Sequence, residues 1–333
     1  MNLIFQTIYD AWCRTKTKKS PSEWISRNCP FCEHRGQAPD KRGRGGLKHD
    51  NNSITLNCFN CGFCASWTIG RPLYPKMISA LKWLNVDEKT INQLKLESLR
   101  ISKESGFEPI VHIRRNIKPI VLPADCTILE SDSIKHQKHI DFLKTRGFTP
   151  EDFSFLVSPD LTYRSRVILP FILQDTIIGY SARSIISNEK MRYIMKETTE
   201  FVFGVEWVEP EHEWIIVTEG LFDALSVKCL AVMHNEISEA QTEMICDLQR
   251  RVIIVPDLDK AGLANRKNSL INTALDCGWE VAFPTWEVKD INAAYVNYGP
   301  LFTIKHILDC STNNPTKIRV QQKMLLNGLK SNI

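Results

Sequence analysis

Polar and apolar residues alternate along Ser53-Ile54-Thr55-Leu56-Asn57, and Gly46 to His49 precedes them across the Asp50-Asn51-Asn52 run. This predicts two short strands joined by a turn. Gly70-Arg71-Pro72 through Pro75 then breaks the chain. Met77 to Leu96 carries Leu81, Leu84, Ile91 and Leu94 at helical spacing and predicts a helix. Ser105-Gly106 with Pro109, Pro119 and Pro123 reads as a linker. A further helix is predicted from Ile134 to Arg146, stopping at Gly147. Arg166 to Leu173, a turn near Gln174-Asp175, and Thr176 to Ser181 predict a β-hairpin.

From Trp214 onward the pattern changes. Trp214 to Thr218 and Val252 to Pro256 are apolar runs, and Trp279 to Pro284 is a third; they predict buried strands. Leu221 to Cys229 and Ala261 to Cys277 predict the helices between them. Strands alternating with helices imply a parallel sheet with helices on its faces. In such sheets ligands sit beyond the carboxyl ends of the strands.

With 333 residues, 43% of them hydrophobic and 24% charged, the chain is long enough for two domains and can bury a core. No run approaches the roughly 20 apolar residues of a membrane span. The first 20 residues lack the order of a signal peptide, so a cytoplasmic protein without membrane contact is expected. The net charge is only +4, but it is unevenly placed. Arg14 to Lys48 holds ten basic against three acidic residues. From Ser311 to the end, Lys317, Arg319, Lys323 and Lys330 stand without an acid. Basic ends around a more acidic middle suit contact with polyanions.

Five of the eleven cysteines crowd together as Cys29, Cys32, Cys58, Cys61 and Cys64. Cys29-Pro30-Phe31-Cys32 is followed, after 25 residues, by Cys58-Phe59-Asn60-Cys61. Two such knuckles supply four thiolates at one tetrahedral centre, the pattern of a structural zinc ribbon. Cys64 is an alternative ligand by spacing, and His34 a weaker one. The ribbon would display Arg35, Lys41, Arg42, Arg44 and Lys48, interleaved with Phe31, Phe59, Phe63 and Trp67. Cations for phosphates and aromatic faces for bases are the equipment of single-strand binding, although a ribbon also needs aromatics for its own core. The other six cysteines are scattered and read as buried apolar thiols.

The acids fall at the predicted strand ends. Glu219-Gly220-Leu221-Phe222-Asp223 follows the first strand, Asp257-Leu258-Asp259-Lys260-Ala261-Gly262 the second, and Lys289-Asp290-Ile291-Asn292 comes after the third. Carboxylates brought this close repel one another unless a cation neutralises them. Oxygen ligands around an open site suit Mg2+ or Mn2+. The sequence holds no G-x-x-x-x-G-K-[ST], so it offers no P-loop motor.

The order strand-Glu-Gly-x-x-Asp, strand-Asp-x-Asp-x-x-Gly and a later Lys-Asp resembles the TOPRIM domain. With the CPxC…CxxCG ribbon ahead of it, the chain resembles the DnaG-type DNA primases, especially the compact primases of T-even-like bacteriophages. The middle adds to the likeness: His139 to Gly147, Arg164-Ser165-Arg166-Val167-Ile168-Leu169-Pro170, Gly179 to Arg183, Met191-Arg192-Tyr193 and Phe201 to Gly204 resemble successive signatures of the primase polymerase core. The fold implied is α/β: a small β zinc ribbon, then a polymerase core with a basic α+β subdomain and a TOPRIM parallel-sheet subdomain. The implied domains are 1–70 for the DNA-binding ribbon, 71–110 for a helical linker, 111–210 for the basic subdomain and 211–310 for the catalytic TOPRIM subdomain. The segment 311–333 would be a basic tail and a candidate helicase contact through Ile318, Met324, Leu325, Leu326 and Leu329.

The resemblance implies catalysis by Glu219, Asp223, Asp257, Asp259 and Asp290. Glu219, Asp257 and Asp259 would hold magnesium or manganese, and Cys29, Cys32, Cys58 and Cys61 one zinc. Arg166, Arg183, Arg192, Lys196, Lys289, Arg42 and Arg44 would contact nucleic acid or nucleotide. Arg192 stands where the family more often has Lys, Thr198 occupies about the place of a usual Lys, and Asn292 replaces a frequent acid. The implied activity is synthesis of short RNA primers on single-stranded DNA during replication, within a primosome. Ribonucleoside triphosphates would be the substrates. A separate replicative helicase and a single-strand-binding protein are candidate partners, and the host cytoplasm the place of work. A zinc and TOPRIM recombination mediator without catalysis, or a TOPRIM nuclease, are the alternatives.

Overall fold

The structure is a computed structural model that describes residues 2–107, 119–173, 175–196, 201–209, 211–264 and 269–331. Pro109, Thr198, Gln174 and the boundary expected at 110 lie outside the described residues. The fold is α/β, with three five-stranded sheets in chain order.

Helix α1 (Leu3–Cys13) starts where the Asn2 side chain accepts from the Ile4 N–H, a satisfied N-cap. It buries Ile4, Phe5, Ile8, Ala11 and Trp12, one face of a 3.6-residue repeat. The first sheet runs β1 (Lys18–Lys19), β2 (Ile25–Arg27), β3 (Gly45–His49), β4 (Ser53–Cys58) and β5 (Cys64–Thr68), all antiparallel neighbours. The expected hairpin is β3 and β4. The helix expected over 77–96 is two helices, α2 (Pro75–Trp83) and α3 (Glu88–Glu104). Asn85 takes a positive φ of 57°, and Asp87 then caps α3 through the Thr90 N–H, so the apolar spacing continues across a real break. These helices share one core with the ribbon: Met77, Ala80, Leu81, Ile91 and Leu94 cluster with Trp12, Phe31, Phe63 and Trp67.

The second sheet is antiparallel, in the order β10-β9-β8-β7-β6. Its strands are β6 (Thr127–Ile128), β7 (Leu156–Val157), β8 (Arg166–Leu173), β9 (Thr176–Ser184) and β10 (Tyr193–Lys196). A 3-10 turn at Ile134–His136 leads into α4 (Gln137–Thr145), and Gly147 takes φ 77° just beyond it.

The third sheet has the order β12-β11-β13-β14-β15 and is parallel except for its last strand. Its elements run β11 (Trp214–Thr218), α5 (Leu221–Val227), β12 (Leu230–Ala231), α6 (Glu239–Asp247), β13 (Arg251–Ile254), α7 (Leu270–Cys277), β14 (Glu280–Ala282), α8 (Ile291–Tyr298), α9 (Pro300–Cys310), β15 (Ser311–Thr312) and α10 (Pro315–Ser331). The helix expected from Ala261 begins only at Leu270, where Ser269 caps it. Residues 261–264 form turns instead, because Asp259 Oδ1 accepts from the N–H groups of Ala261 and Gly262 at 2.7 and 2.8 Å. Helix α6 escaped the sequence reading.

The ribbon module packs against α6 and α7 through charged groups. Arg35 Nε lies 3.2 Å from Asp276 Oδ1, Lys76 Nζ 2.7 Å from Glu239, and Tyr74 Oη donates to Asp247 at 2.6 Å; Arg71 pairs with Glu243. Arg35, expected on the ribbon's surface, is therefore buried.

The tail also departs from expectation. Ile318 is fully buried in the core of the parallel sheet, with Leu325, Leu326 and Leu329 packed on the same core. Arg319 Nη2 donates to Asn272 and Gln322 Nε2 to the Leu263 carbonyl. The apolar face of α10 is thus spent inside this chain, and only Met324 and Val320 stay exposed among its large apolar side chains described. Ile318→Ala should lower unfolding free energy by about 2–4 kcal/mol in urea denaturation. Met324→Ala on the same helix should stay within about 0.5 kcal/mol. Equal, small effects would return α10 to the role of a detachable tail.

Candidate functional site

Two sites emerge. In the ribbon, Cys29, Cys32, Cys58 and Cys61 are buried, and their sulfurs all lie within 4.8 Å of one another. Among the described residues this is the one set of three or more such ligands so close together. Cys32 and Cys58 sulfurs are 3.8 Å apart, the spacing of two ligands on one tetrahedral zinc. The thiols share protons unevenly: hydrogen bonding to Cys58 and Cys61, with burial, pushes Cys29 up, while accepting from Cys29 and Cys61 pulls Cys58 down to about 2. A cation resolves that competition, so the residues fit zinc. Cys64 and His34 stand outside the set; His34 stacks on Trp83 at 5.0 Å, its rings 7° from parallel.

Asp40 gave no sequence signal yet organises the first knuckle. It accepts from the N–H groups of Cys29, Arg42 and Arg44 and from Arg44 Nε. Burial opposes its charge, but these hydrogen bonds hold its carboxyl well below the usual range. Arg44 also donates to Asn60 at 2.6 Å, so much of its guanidinium is committed within the ribbon, whereas Arg42 is exposed. Phe31, Phe63 and Trp67 are buried as core, and Phe59 is 68% exposed.

The second site is a cavity of about 510 Å³ at the carboxyl end of the parallel sheet. It gathers all five expected acids, Glu219, Asp223, Asp257, Asp259 and Asp290. Strands β11 and β13 pair directly, Val217 against Ile254, so the residues just beyond both strands emerge side by side. Gly220 and Gly262 are required by close approach: a Cβ on Gly262 would lie 2.8 Å from Glu219 Oε1, and one on Gly220 would strike Asp223 Oδ2. Asp290 caps α8, accepting from the Ala293 N–H at 2.8 Å, and sits 3.1 Å from Lys289 Nζ.

Burial, then the charges of Asp290 and Asp257, raise Asp223 to about 8 against the Asn292 N–H and Arg146. Burial, then Asp259 and Asp290, raise Asp257 to about 6 against Lys289. Such mutually raised acids fit a divalent cation. The acids do not close to the spacing of the four sulfurs, which suits an ion that keeps open positions for water and phosphate oxygens.

Facing the acids are Arg146, Arg183, Arg192, Tyr193 and Lys289, with Ser181, His234 and Asn235. Arg183 lies 4.5 Å over the Tyr193 ring, and its Nε is buried without a hydrogen-bond partner among the described residues. Arg146 was missed by sequence reasoning, which placed it only at a helix end. Its Nη1 donates to Asn292 Oδ1 at 3.1 Å, and its guanidinium lies over Phe222 and Phe142. Asn292, which stands where the resemblance expects an acid, donates its N–H to Asp223 Oδ1 at 2.7 Å and its amide to the Arg146 carbonyl and Ser226.

Two expected contacts fall elsewhere. Arg166 is buried and donates to the carbonyls of Thr162, Ala182, Met191 and Arg192, so it braces the segment that leads through Arg192 into β10 and does not line the cavity. Lys196 is exposed at the end of β10, also outside the cavity lining. Among the described residues, no helix is long and apolar enough to cross a membrane.

No family model matches the chain, and no curated protein matches it. Among solved structures it is similar to the zinc-binding and RNA polymerase domains of the Aquifex aeolicus primase, at 16% identity over 94% of this chain and 86% of that one, TM-score 0.42. A DnaG primase catalytic domain bound to single-stranded DNA is 16% identical over 54% of this chain and 73% of that one, TM-score 0.43. The primase fragment of the bacteriophage T7 primase-helicase protein is 15% identical over 84% and 97%, TM-score 0.38. At such values the chemistry of this site rests on its own residues.

A divalent cation at this site would compete with protons for Asp223 and Asp257. Mn2+ affinity should therefore rise between about pH 5 and about pH 8.5, because deprotonation of raised carboxyls must precede binding. Calorimetric titration across that range checks this, and Asp257→Asn should remove the part of the rise near pH 6. A flat profile would detach the cation from these acids.

Proposed function

We propose that the chain is a DNA primase, a nucleotidyltransferase that builds short RNA primers on single-stranded DNA for replication. The observation that carries this is the facing of acids and guanidiniums across one cavity, Glu219, Asp223, Asp257, Asp259 and Asp290 against Arg146, Arg183 and Arg192. A site that moves a phosphoryl group needs both: acids to hold cations, and guanidiniums to hold phosphate oxygens two at a time. The sequence order of ribbon, basic signatures and TOPRIM-like acids supports the same reading.

Glu219, Asp257 and Asp259 would hold the magnesium or manganese, with Asp223 and Asp290 supporting. Such an ion neutralises charge developing on the phosphate and lowers the pKa of an attacking hydroxyl. The chain's own residues do the rest by position. Arg183 and Arg192 bind the triphosphate of the incoming nucleotide. Arg146, fixed by Asn292 and the Phe222 face, balances the charge of Asp223 and keeps that carboxylate in register. Lys289 neutralises Asp290 until substrate arrives. The ribbon, with Arg42, Lys41 and Phe59 exposed, contacts the template. A bacteriophage of T-even type is the source this reading suggests, with a separate helicase and a single-strand-binding protein as partners in the host cytoplasm.

The test is incubation of the chain with single-stranded circular DNA, four ribonucleotides, one labelled, and Mg2+. Short labelled oligoribonucleotides are expected. Asp257→Ala and chelation should abolish them, and Arg183→Ala should reduce them on the order of a hundredfold. Intact DNA that is bound but not primed would favour a recombination mediator; degraded template would favour a nuclease.

A further inference from the structure

The charged interface between the ribbon module and the parallel-sheet domain contains one residue that touches both zinc knuckles. The backbone N–H of Arg35 donates to the carbonyls of Phe31 and Cys32, 3.1 and 3.2 Å away, within and at the end of the first knuckle. Its Nη1 donates to the carbonyl of Cys61, the last cysteine of the second knuckle, at 2.6 Å. Its Nε lies 3.2 Å from Asp276 Oδ1 on α7 of the other domain, with both side chains about 5% exposed. The remaining cross-domain pairs, Lys76 with Glu239, Tyr74 with Asp247 and Arg71 with Glu243, leave from α2 or the turn before it and touch no knuckle.

We propose that Arg35 is a positioning residue that couples zinc retention to docking of the ribbon on α7. A guanidinium is a planar fork whose nitrogens have fixed relative directions, so its contacts with Cys61 and Asp276 cannot be adjusted independently. With the four sulfurs drawn to one ion, the Cys61 carbonyl is held where the fork meets Asp276. Without the ion the buried thiols lose their common centre and that carbonyl shifts, which pulls the fork from Asp276. Conversely, loss of the Asp276 charge leaves a buried cation whose best remaining acceptors lie in the zinc knuckles, and it strains them. Coupling of this kind is reciprocal. The other reading is a static buried ion pair that fixes docking and leaves the zinc site indifferent.

The test keeps the ribbon sequence untouched. Zinc content and zinc release to a chromogenic chelator are measured on the full chain and on Asp276→Asn and Glu239→Gln. Asp276→Asn should release zinc faster, by about 2- to 30-fold, the range of residue-level coupling. Glu239→Gln, which loosens the same interface away from the knuckles, should release at the wild-type rate. Unchanged release from Asp276→Asn, or equal acceleration in both variants, would overturn Arg35 as the link. Because Asp276→Asn could weaken the fold generally, amide exchange of Leu270–Cys277 is read in the wild-type chain as zinc is removed. Faster exchange there is expected, and unchanged exchange would sink the coupling. A wild-type chain that carries no zinc would fail earlier, at the assignment of the cysteine cluster, while leaving the acidic site and the proposed primer synthesis untouched.

Discussion

Like-charge repulsion at the carboxyl end of the parallel sheet is the constraint around which the parallel-sheet domain is arranged. Direct pairing of β11 and β13 forces the residues after both strands to share one edge. That topology places Glu219, Asp257 and Asp259 together, and α5 and α8 add Asp223 and Asp290. Three of these five acids have their own means of staying there. Asp259 and Asp290 accept backbone N–H groups in their own turn or helix start. Asp223 has the Asn292 N–H and the nearby Arg146 charge. Gly220 and Gly262 leave room where any side chain would collide. The raised carboxyls of Asp223 and Asp257 show that these devices do not fully cancel the repulsion, which leaves demand for a cation.

The ribbon interface handles buried charge in the opposite way. There every acid on α6 and α7 meets a donor from the ribbon module: Asp276 with Arg35, Glu239 with Lys76, Glu243 with Arg71 and Asp247 with Tyr74. Three of the four pairs set opposite charges against each other across the boundary, and the fourth is a hydroxyl donating to a carboxylate. Such pairs add little net stability once desolvation is counted, but removing one partner is costly. They therefore fix where the ribbon sits more than how strongly it is held.

What was legible in the sequence follows from which residues carry local rules. The cysteine knuckles, the β3–β4 and β8–β9 hairpins and the three parallel strands obey short-range spacing and appeared close to their places. The acids were legible because strand ends in a parallel sheet have a known functional edge. The break at Asn85 was not, because apolar periodicity runs on through it while the backbone reverses. Helix α6 was not, because its buried residues include Gln241, whose amide donates to the distant carbonyls of Phe201 and Val232, and Thr242, whose hydroxyl donates one turn back to the Ser238 carbonyl. Arg146 and Asp40 were invisible for the same reason: only the folded chain shows what an isolated Arg or Asp lies against.

A count of cations does not show which of them meet acceptors inside the chain. Arg35 and Arg44 in the first basic stretch, Arg319 in the last and Arg166 between them each direct guanidinium nitrogens to acceptors within the chain. An arginine fork is as well suited to backbone carbonyls and carboxylates as to phosphate, and sequence gives no sign of which it will meet. Among the cations considered for nucleic acid, Lys41, Arg42 and Lys48 are exposed on the ribbon and Arg192 and Lys289 at the acidic cavity, while Lys196 is exposed outside it. A strand touching both groups must cross between domains whose relative position the buried ion pairs set. If the proposed primer synthesis holds, the placement of template over the cavity would be decided at this interface, and the geometry of Arg35 and its neighbours would belong to that function as much as the acids do.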